Sequence, residues 1–212
     1  MLNSNSNLSE ASVIYQKSYP VVHPRWDGYV ATTPSKRAEL FKELSGINLL
    51  DWNPIPVKRV LIAKPDGRLR PLGIPSIRDR VIQNVVKNAL EPEWEAKFEA
   101  SSYGFRPARR VDDAISRCLR IMNQKTKRWV FEGDLSLCYD SIDHSYLINC
   151  LNYFPAQALI KRWLKVGILF ELVYYSTEDG TPQGVVISPL LCNICLHGLA
   201  FDIGIKELTL RS

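Results

Sequence analysis

A hairpin followed by a long helix does most to limit the fold of this chain. Val57–Ala63 is rich in apolar and β-branched residues, Pro65-Asp66-Gly67 is a turn sequence, and Arg68–Leu72 can return as the partner strand. From Ser76 to Ala100 the apolar positions follow a 3.6-residue period, which predicts a helix that Pro92 kinks or restarts. This combination predicts a mixed α+β fold.

Shorter patterns complete the predicted elements. A strand that ends at an acidic residue is predicted at Trp129–Leu135. Apolar residues at helical spacing predict further helices, and a last extended segment precedes a turn. The predicted helices cover residues 34–46, 111–122, 145–151, 156–169 and 188–203, and the extended segment covers 172–176.

Composition excludes several classes of protein. The 212 residues are 46% hydrophobic and 23% charged, which rules out disordered and fibrous chains. The longest apolar stretch, Val166–Tyr175, is interrupted by Glu171 and is too short to span a membrane. The first residues lack the pattern of a secretory signal. The five cysteines lie among apolar residues, which predicts reduced thiols in an intracellular protein.

Positive charge is concentrated in the predicted hairpin and the start of the following helix. Residues 58–80 contain seven basic residues and two aspartates, while the whole chain has a net charge of +5. Lys64 and Arg70, one on each arm, could together hold a phosphate chain. A solvated basic hairpin without a ligand explains the same charge equally well. If it binds a ligand, the patch suits nucleic acid, a nucleotide, or both.

One aspartate lies at the end of the strand predicted at 129–135, and two more follow it. Asp134 stands at its end, where a carboxylate is well placed to hold Mg²⁺. Asp140 and Asp143 could contribute to such a site, but we favour a role for them in capping the next helix. For Asp134 the pattern leaves both interpretations open.

Other polar motifs give weaker signals. His144 has no accompanying nucleophile, which favours a structural role. Cys192-x-x-Cys195 lies inside an apolar helical run without a second cysteine pair, which favours buried thiols over a zinc or redox site. The loop Gly180–Gly184 could contact a ligand through Gln183, or it could be a plain turn.

Four motifs in order resemble the reverse transcriptase of group II introns, the intron-encoded maturase type. They are KPDGRLRPLGIP at 64–75, SYGFRP at 102–107, EGDLSLCYDSIDH at 132–144 and GTPQGVVISPLLCNICLHGL at 180–199. The resemblance extends over about residues 57–203. It implies the reverse transcriptase fold, with the fingers and part of the palm of a right-hand polymerase. The implied division is an N-terminal extension at 1–33, fingers at 34–128 and a partial palm at 129–212.

The resemblance also implies an RNA-directed DNA polymerase that copies intron RNA from a primer with dNTPs. The family's next motif, Tyr-x-Asp-Asp, carries further metal-binding carboxylates, and the sequence ends at Ser212 before it. We therefore expect an amino-terminal fragment that is inactive alone and acts with a carboxy-terminal half, in the bacterial cytoplasm or an organelle. The alternatives are a non-catalytic splicing factor that binds intron RNA and a degenerate remnant.

Roles for individual residues follow from the resemblance alone. Asp134 would be the catalytic carboxylate that holds two Mg²⁺ ions, with the Leu135 carbonyl as a further metal ligand. Tyr139 would exclude the 2′-hydroxyl of a ribonucleotide. The remaining assignments are Lys64 and Arg70 to the triphosphate, Gln183 to the nucleotide, and Arg106 to the template.

Two departures from the family pattern concern this implied site. Val185 replaces a glycine, so its Cβ is expected to crowd the nucleotide or the turn. Residues 133–137 differ from the family's usual Ala-Asp-Ile-Lys-Gly. Despite these departures, we expect five of the assigned residues to converge around one cleft. They are Lys64, Arg70, Asp134, Tyr139 and Gln183.

Overall fold

The computed structural model describes residues 29–123, 130 and 132–202. These residues form a mixed α+β structure with one four-stranded sheet, which confirms the predicted class. The elements are α1 (Pro34–Ser45), a 3₁₀ turn (Leu49–Asp51), β1 (Val57–Ala63), β2 (Leu69–Ile74), α2 (Ile77–Glu95), α3 (Val111–Asn123), α4 (His144–Cys150), α5 (Gln157–Lys165), β3 (Ile168–Phe170), β4 (Val173–Tyr175), α6 (Ser188–Leu196) and α7 (Leu199–Asp202).

The predicted hairpin is confirmed. β1 and β2 are antiparallel, and their last pair before the turn is Ala63 with Leu69. The Gly67 N–H donates to the Lys64 carbonyl at 2.9 Å, and the Lys64 N–H donates to the Arg68 carbonyl at 2.8 Å. Gly67 has φ +80°, a conformation that glycine adopts without strain. Local turn chemistry therefore fixes the register of the basic hairpin.

The sheet joins segments that are distant in the sequence. Its strand order is β2-β1-β3-β4. β1 pairs in parallel with β3 through Val57 and Ile168, and β3 pairs antiparallel with β4. The hairpin therefore reaches its place in the sheet only by pairing with a strand from beyond residue 167.

Helix α2 is the main core element. Ser76 caps its start, because its hydroxyl accepts a hydrogen bond from the Asp79 N–H at 3.0 Å. The helix runs through Pro92 to Glu95, so the predicted restart at this proline is wrong. Pro92 lies in the last turn of the helix. The loss of one backbone hydrogen bond at this proline therefore affects only the end of the helix. One face of α2 packs against α6 and the rest of the core.

The core is built mainly from helices α1, α2, α4, α5 and α6. Its fully buried side chains are Leu44, Ile77, Ile82, Leu90, Leu147, Leu151, Leu159, Ile160, Ile187, Leu191 and Ile194. Helix α3 contributes no buried residue, although its apolar positions have the predicted helical spacing. Its exposed apolar side chains include Val111 and Leu119. None of the described helices is long and apolar enough to cross a membrane.

Three predicted elements differ from the structure. Val130 and residues 132–135 form no strand, while Trp129 and Phe131 lie outside the described residues. No described strand pairs with that segment, and an isolated strand is not stable in water. The helix predicted at 156–169 ends at Lys165, and that predicted at 188–203 ends at Leu196. In both cases a glycine at positive φ follows, so the chain turns there.

Most of the predicted extension at 1–33 lies outside the described residues, which begin at Tyr29. Thr33 caps α1, because its hydroxyl accepts a hydrogen bond from the Lys36 N–H at 3.3 Å. The predicted start of this helix is therefore confirmed.

Candidate functional site

The loop of residues 180–184, here called the TPQG loop, lies along the free edge of β2. The Gln183 carbonyl accepts a hydrogen bond from the Gly73 N–H at 2.6 Å. The Thr181 N–H donates to the Tyr139 carbonyl at 2.7 Å. The Ser188 hydroxyl donates to a carbonyl of the same loop at 3.1 Å, which fixes the loop to the start of α6. The loop thus connects the hairpin to the segment that carries Tyr139.

The TPQG loop packs so closely against β2 that one position in the strand and one in the loop must be glycine. A Cβ at Gly73 would lie 2.8 Å from Val57 Cγ1 and 3.1 Å from the Gln183 carbonyl oxygen. Gly184 has φ +94°, and a Cβ there would lie 2.5 Å from Leu72 Cδ1. Gly73 was not among the candidate site residues predicted from the sequence. A glycine inside a strand is a known signal of close backbone approach, and it could have identified this position.

His144 fixes the beginning of the TPQG loop. Its Nε2 lies 2.7 Å from the Gly180 carbonyl oxygen, and because a carbonyl only accepts, Nε2 is the donor. The imidazole is buried between α4 and the loop. This contact confirms the predicted structural role of His144.

The two aspartates that follow Tyr139 differ in their roles. Asp143 caps α4, because its Oδ1 accepts a hydrogen bond from the Tyr146 N–H at 2.5 Å. The predicted capping role is therefore confirmed for Asp143. Asp140 does not cap α4, so the predicted capping role is wrong for this residue. Its backbone packs against the TPQG loop, since a Cβ at Gly180 would lie 2.7 Å from the Asp140 carbonyl oxygen.

Arg70 and Gln183 are in direct contact. Arg70 Nε donates to Gln183 Oε1 at 3.0 Å. Both residues were assigned to the nucleotide from separate motifs of the sequence. The contact leaves the two terminal nitrogens of the guanidinium able to donate to an anion.

Tyr139 is half-buried, and its backbone is bonded to the TPQG loop. Burial is the largest cause that raises its pKa above the ordinary value of 10.0, and the neighbouring thiols of Cys192 and Cys138 add to it. The positive charge of Arg70 acts in the opposite direction on the same pKa. Tyr139 is therefore a neutral, half-buried aromatic side chain next to the TPQG loop.

Lys64 lies towards the tip of the same hairpin face. Arg70 stands opposite Ile62 in the antiparallel register, and side chains two residues apart share a face. By this alternation Lys64 and Arg70 lie on one face of the hairpin. Lys64 is solvent-exposed, and its charge helps to lower the pKa of Asp66 after the larger effect of the Arg68 hydrogen bonds.

Asp134 and Leu135 lie on an exposed segment that precedes Tyr139. The Asp134 carboxylate makes no ion pair or hydrogen bond within the described part of the chain. No group of three or more His, Cys, Asp or Glu side chains in residues 29–123, 130 and 132–202 could hold a metal ion. The described residues therefore bring Arg70, Tyr139 and Gln183 together, but they do not assemble a metal site around Asp134.

Arg106 is buried in an internal network. Its Nε and Nη2 donate to the Glu95 carboxylate, with a shortest distance of 2.8 Å. Nη1 donates to the carbonyls of Glu99 and Ser102 at 2.7 and 3.0 Å. Four of the five guanidinium N–H groups already donate to these partners, and the side chain is 3% exposed, so a template phosphate has little access to it. The structure favours a structural role for Arg106 over a template contact.

Of the two cysteines of the C-x-x-C motif, Cys192 is buried and Cys195 is partly buried. Burial raises the pKa of both Cys192 and Cys195 to about 12. Cys192 Sγ lies 3.5 Å from Cys138 Sγ. A thiol with so high a pKa is a poor metal ligand and a poor nucleophile, which confirms the interpretation as structural thiols.

Val185 does not crowd the loop in the way the sequence suggested. It is not at positive φ, so the turn does not require glycine at this position. Its side chain is 6% exposed and packs in the hydrophobic core. The residue that does require glycine is its neighbour Gly184.

Comparison with known proteins agrees with the motif pattern. Residues 62–207 match the family described as "Reverse transcriptase (RNA-dependent DNA polymerase)". "Protein YkfC" of Escherichia coli K12 is 38% identical over 200 residues, which cover 90% of this chain and 52% of the relative. "Group II intron-encoded protein LtrA" of Lactococcus lactis is 43% identical over 153 residues, 70% of this chain and 25% of the relative.

A plant relative extends the comparison to organelles. "Nuclear intron maturase 1, mitochondrial" of Arabidopsis thaliana is 39% identical over 104 residues, which cover 49% of this chain and 14% of the relative. The chain thus spans about half, a quarter and a seventh of the lengths of these three relatives. On the strength of the family match over residues 62–207, this chain belongs to the reverse transcriptase (RNA-dependent DNA polymerase) family, and the match to LtrA confirms its resemblance to the group II intron-encoded type.

Proposed function

We propose that this chain forms the dNTP-binding part of a group II intron-type reverse transcriptase. The contact between Arg70 and Gln183 supports this most directly, because it joins the basic hairpin to the TPQG loop. Members of the family copy an RNA template and use divalent metal ions. In this proposal residues 34–128 form the fingers and residues 129–212 part of the palm.

The proposed nucleotide lies across the hairpin face and the TPQG loop. Arg70 holds the triphosphate with its free guanidinium nitrogens, and Lys64 adds a second positive charge nearer the hairpin tip. Tyr139 packs against the sugar, where a 2′-hydroxyl would collide with the ring, and Gln183 contacts the nucleotide from the loop. The neutral state of Tyr139 suits this packing role.

Mg²⁺ is the proposed ion, with the Asp134 carboxylate and the Leu135 carbonyl among its ligands. These two oxygens are too few, because Mg²⁺ prefers six oxygen ligands in octahedral geometry. The described residues do not fit a complete two-ion site. We propose that polymerisation requires further carboxylates from a carboxy-terminal half. Without that half, this chain binds the nucleotide but does not extend a primer.

A second candidate function is the binding of intron RNA during splicing without DNA synthesis. The exposed basic hairpin favours it, because Lys58, Lys64, Arg68 and Arg70 are all solvent-exposed and could contact RNA phosphates. One relative is named as an intron maturase. Relatives from a bacterium and from mitochondria make the bacterial cytoplasm or an organelle the proposed compartment for either function.

Equilibrium binding of a fluorescent dNTP in the presence of Mg²⁺ tests the nucleotide site. We expect Arg70→Ala to weaken binding about tenfold or more, since it removes a charge-assisted contact. Arg120→Ala, an exposed arginine on α3, removes the same charge elsewhere and should leave binding unchanged. Equal binding by the native protein and Arg70→Ala would contradict the proposal. Salt-dependent intron RNA binding without dNTP binding would favour the second candidate.

A further inference from the structure

A small internal cavity lies between α2, α5 and the TPQG loop. Its volume is about 20 Å³, and one water molecule needs roughly 10–15 Å³. Its polar lining includes Asp79 and Gln83 from α2 and Thr181 from the loop, and the indole of Trp163 borders it from α5. The cavity therefore lies on the interior side of the loop that carries Gln183.

Two polar atoms at this cavity lack partners within the described residues. They are Gln83 Oε1 and Thr181 Oγ1, and both are shielded from solvent. The two residues are 1% and 2% exposed. Buried polar atoms in folded proteins almost always have a hydrogen-bond partner, which is often an ordered water molecule.

The other polar groups around the cavity are already satisfied. Asp79 Oδ1 accepts from the indoles of Trp52 and Trp163 at 2.8 and 3.2 Å, and its Oδ2 accepts from the Ser76 hydroxyl at 2.6 Å. The Ser188 hydroxyl, which also lines the cavity, donates to a loop carbonyl. A small polar molecule in the cavity would therefore form hydrogen bonds with Gln83 and Thr181.

We propose that the cavity binds one water molecule that bridges Gln83 Oε1 and Thr181 Oγ1, and that Gln83 thereby positions the TPQG loop. Water can donate to the amide oxygen and accept from the hydroxyl at the same time. The backbone N–H of Thr181 is bonded to the Tyr139 carbonyl, so the water links α2 to both the loop and Tyr139. An effect of this linkage on dNTP binding rests on the proposed function, whereas the water site itself does not.

A high-resolution crystal structure is the direct test. We expect an ordered water within hydrogen-bond distance of Gln83 Oε1 and Thr181 Oγ1 in the native protein. Gln83→Met keeps a similar length without the acceptor, and Thr181→Val keeps the shape without the hydroxyl. Both variants should lose the water. A dry cavity in the native protein would overturn the proposal.

Amide hydrogen exchange measures the positioning role in solution. Each single variant should speed exchange at the N–H groups of Thr181 and Gly73 by about tenfold, the scale of one hydrogen bond. The Lys64 N–H, which is bonded inside the hairpin turn, should keep its native rate. Because both side chains act through one water, the double variant should exchange no faster than either single variant.

Leu90→Ala provides the control for general loosening of α2. Leu90 is fully buried on that helix and does not line the cavity. If Leu90→Ala speeds exchange at Thr181 as much as Gln83→Met does, the positioning role is wrong. Neither the exchange rates nor the bound water depends on nucleotide, so a failed dNTP-binding experiment would count against the proposed function without affecting this inference.

Discussion

Arg70 and Gln183 are joined by a hydrogen bond of 3.0 Å across 113 residues of sequence. Neither residue is held by this contact alone. β2 orients Arg70 through its pairing with β1, and the Gly73 N–H holds the Gln183 backbone beside the same strand. The contact therefore depends on the edge of β2 and the TPQG loop staying together.

A double-mutant cycle should detect coupling between these two side chains. Arg70→Ala, Gln183→Ala and the double variant are compared in urea unfolding. Because the contact is solvent-exposed, we expect a coupling free energy of about 0.5–1 kcal/mol. Strict additivity of the two single changes would show that the contact does not persist in solution.

Gly73→Ala should destabilise the protein by about 1–3 kcal/mol, because the new methyl group has no room between Val57 and the Gln183 carbonyl. Gly104→Ala is the matched control. Nothing lies within 4 Å of a Cβ at Gly104. We expect Gly104→Ala to be neutral or slightly stabilising in urea unfolding. A Gly73→Ala variant as stable as the native protein would mean that the loop does not pack closely on β2.

Arg106→Ala should destabilise the protein by about 3 kcal/mol, because it leaves Glu95 and two backbone carbonyls without their donor. Its side chain is 3% exposed. Arg68→Ala breaks an ion pair at the exposed hairpin turn and should lower the unfolding free energy by less than about 1 kcal/mol. If Arg106→Ala kept native stability but weakened RNA binding, the template assignment would be the better interpretation.

Cys192 and Cys195 should resist alkylation in the folded protein. At pH 8 their pKa of about 12 leaves almost no thiolate, and Cys192 is in addition buried. Cys118 is exposed and should be modified first. Iodoacetamide labelling followed by mass spectrometry measures the order. Labelling of Cys192 as fast as Cys118 would contradict the burial seen in the structure.

The same thiols predict a dependence of stability on alkaline pH. Their pKa is 9.0 in an unfolded chain and about 12 in the folded one, so the folded protein holds more protons between these values. The contribution of these thiols to the free energy of unfolding is therefore fully present below pH 9 and decreases as the pH rises above 9. Urea unfolding at pH 8 and pH 10 should show a lower midpoint at pH 10, and this difference should shrink in Cys192→Ala.

Local patterns predicted the elements of this fold well. The turn tripeptide at residues 65–67, the cap at Thr33 and the cap at Asp143 each act within a few residues, so their sequence signals are sufficient. The strand predicted at Trp129–Leu135 is wrong in its described part for the opposite reason. A strand exists only when another strand pairs with it, and a local pattern contains no information on that partner.

The candidate site was predictable only in part. The motifs identified Arg70, Tyr139 and Gln183 as candidate site residues. In the structure all three lie at the TPQG loop. The role of Gly73 depends on a loop more than a hundred residues later, and the buried network of Arg106 depends on Glu95 from the end of α2. Such roles arise from tertiary contacts, which neither residue type nor spacing specifies.

The pairing of Val57 with Ile168 has a consequence for synthesis of the chain. β1 and β2 leave the ribosome early, but β3 and the TPQG loop follow only after the helices α2 to α5. Long-range pairing of this kind slows folding, because a large loop must close before the contacts form. During translation the basic hairpin is therefore exposed to the surrounding nucleic acid before the candidate nucleotide site exists.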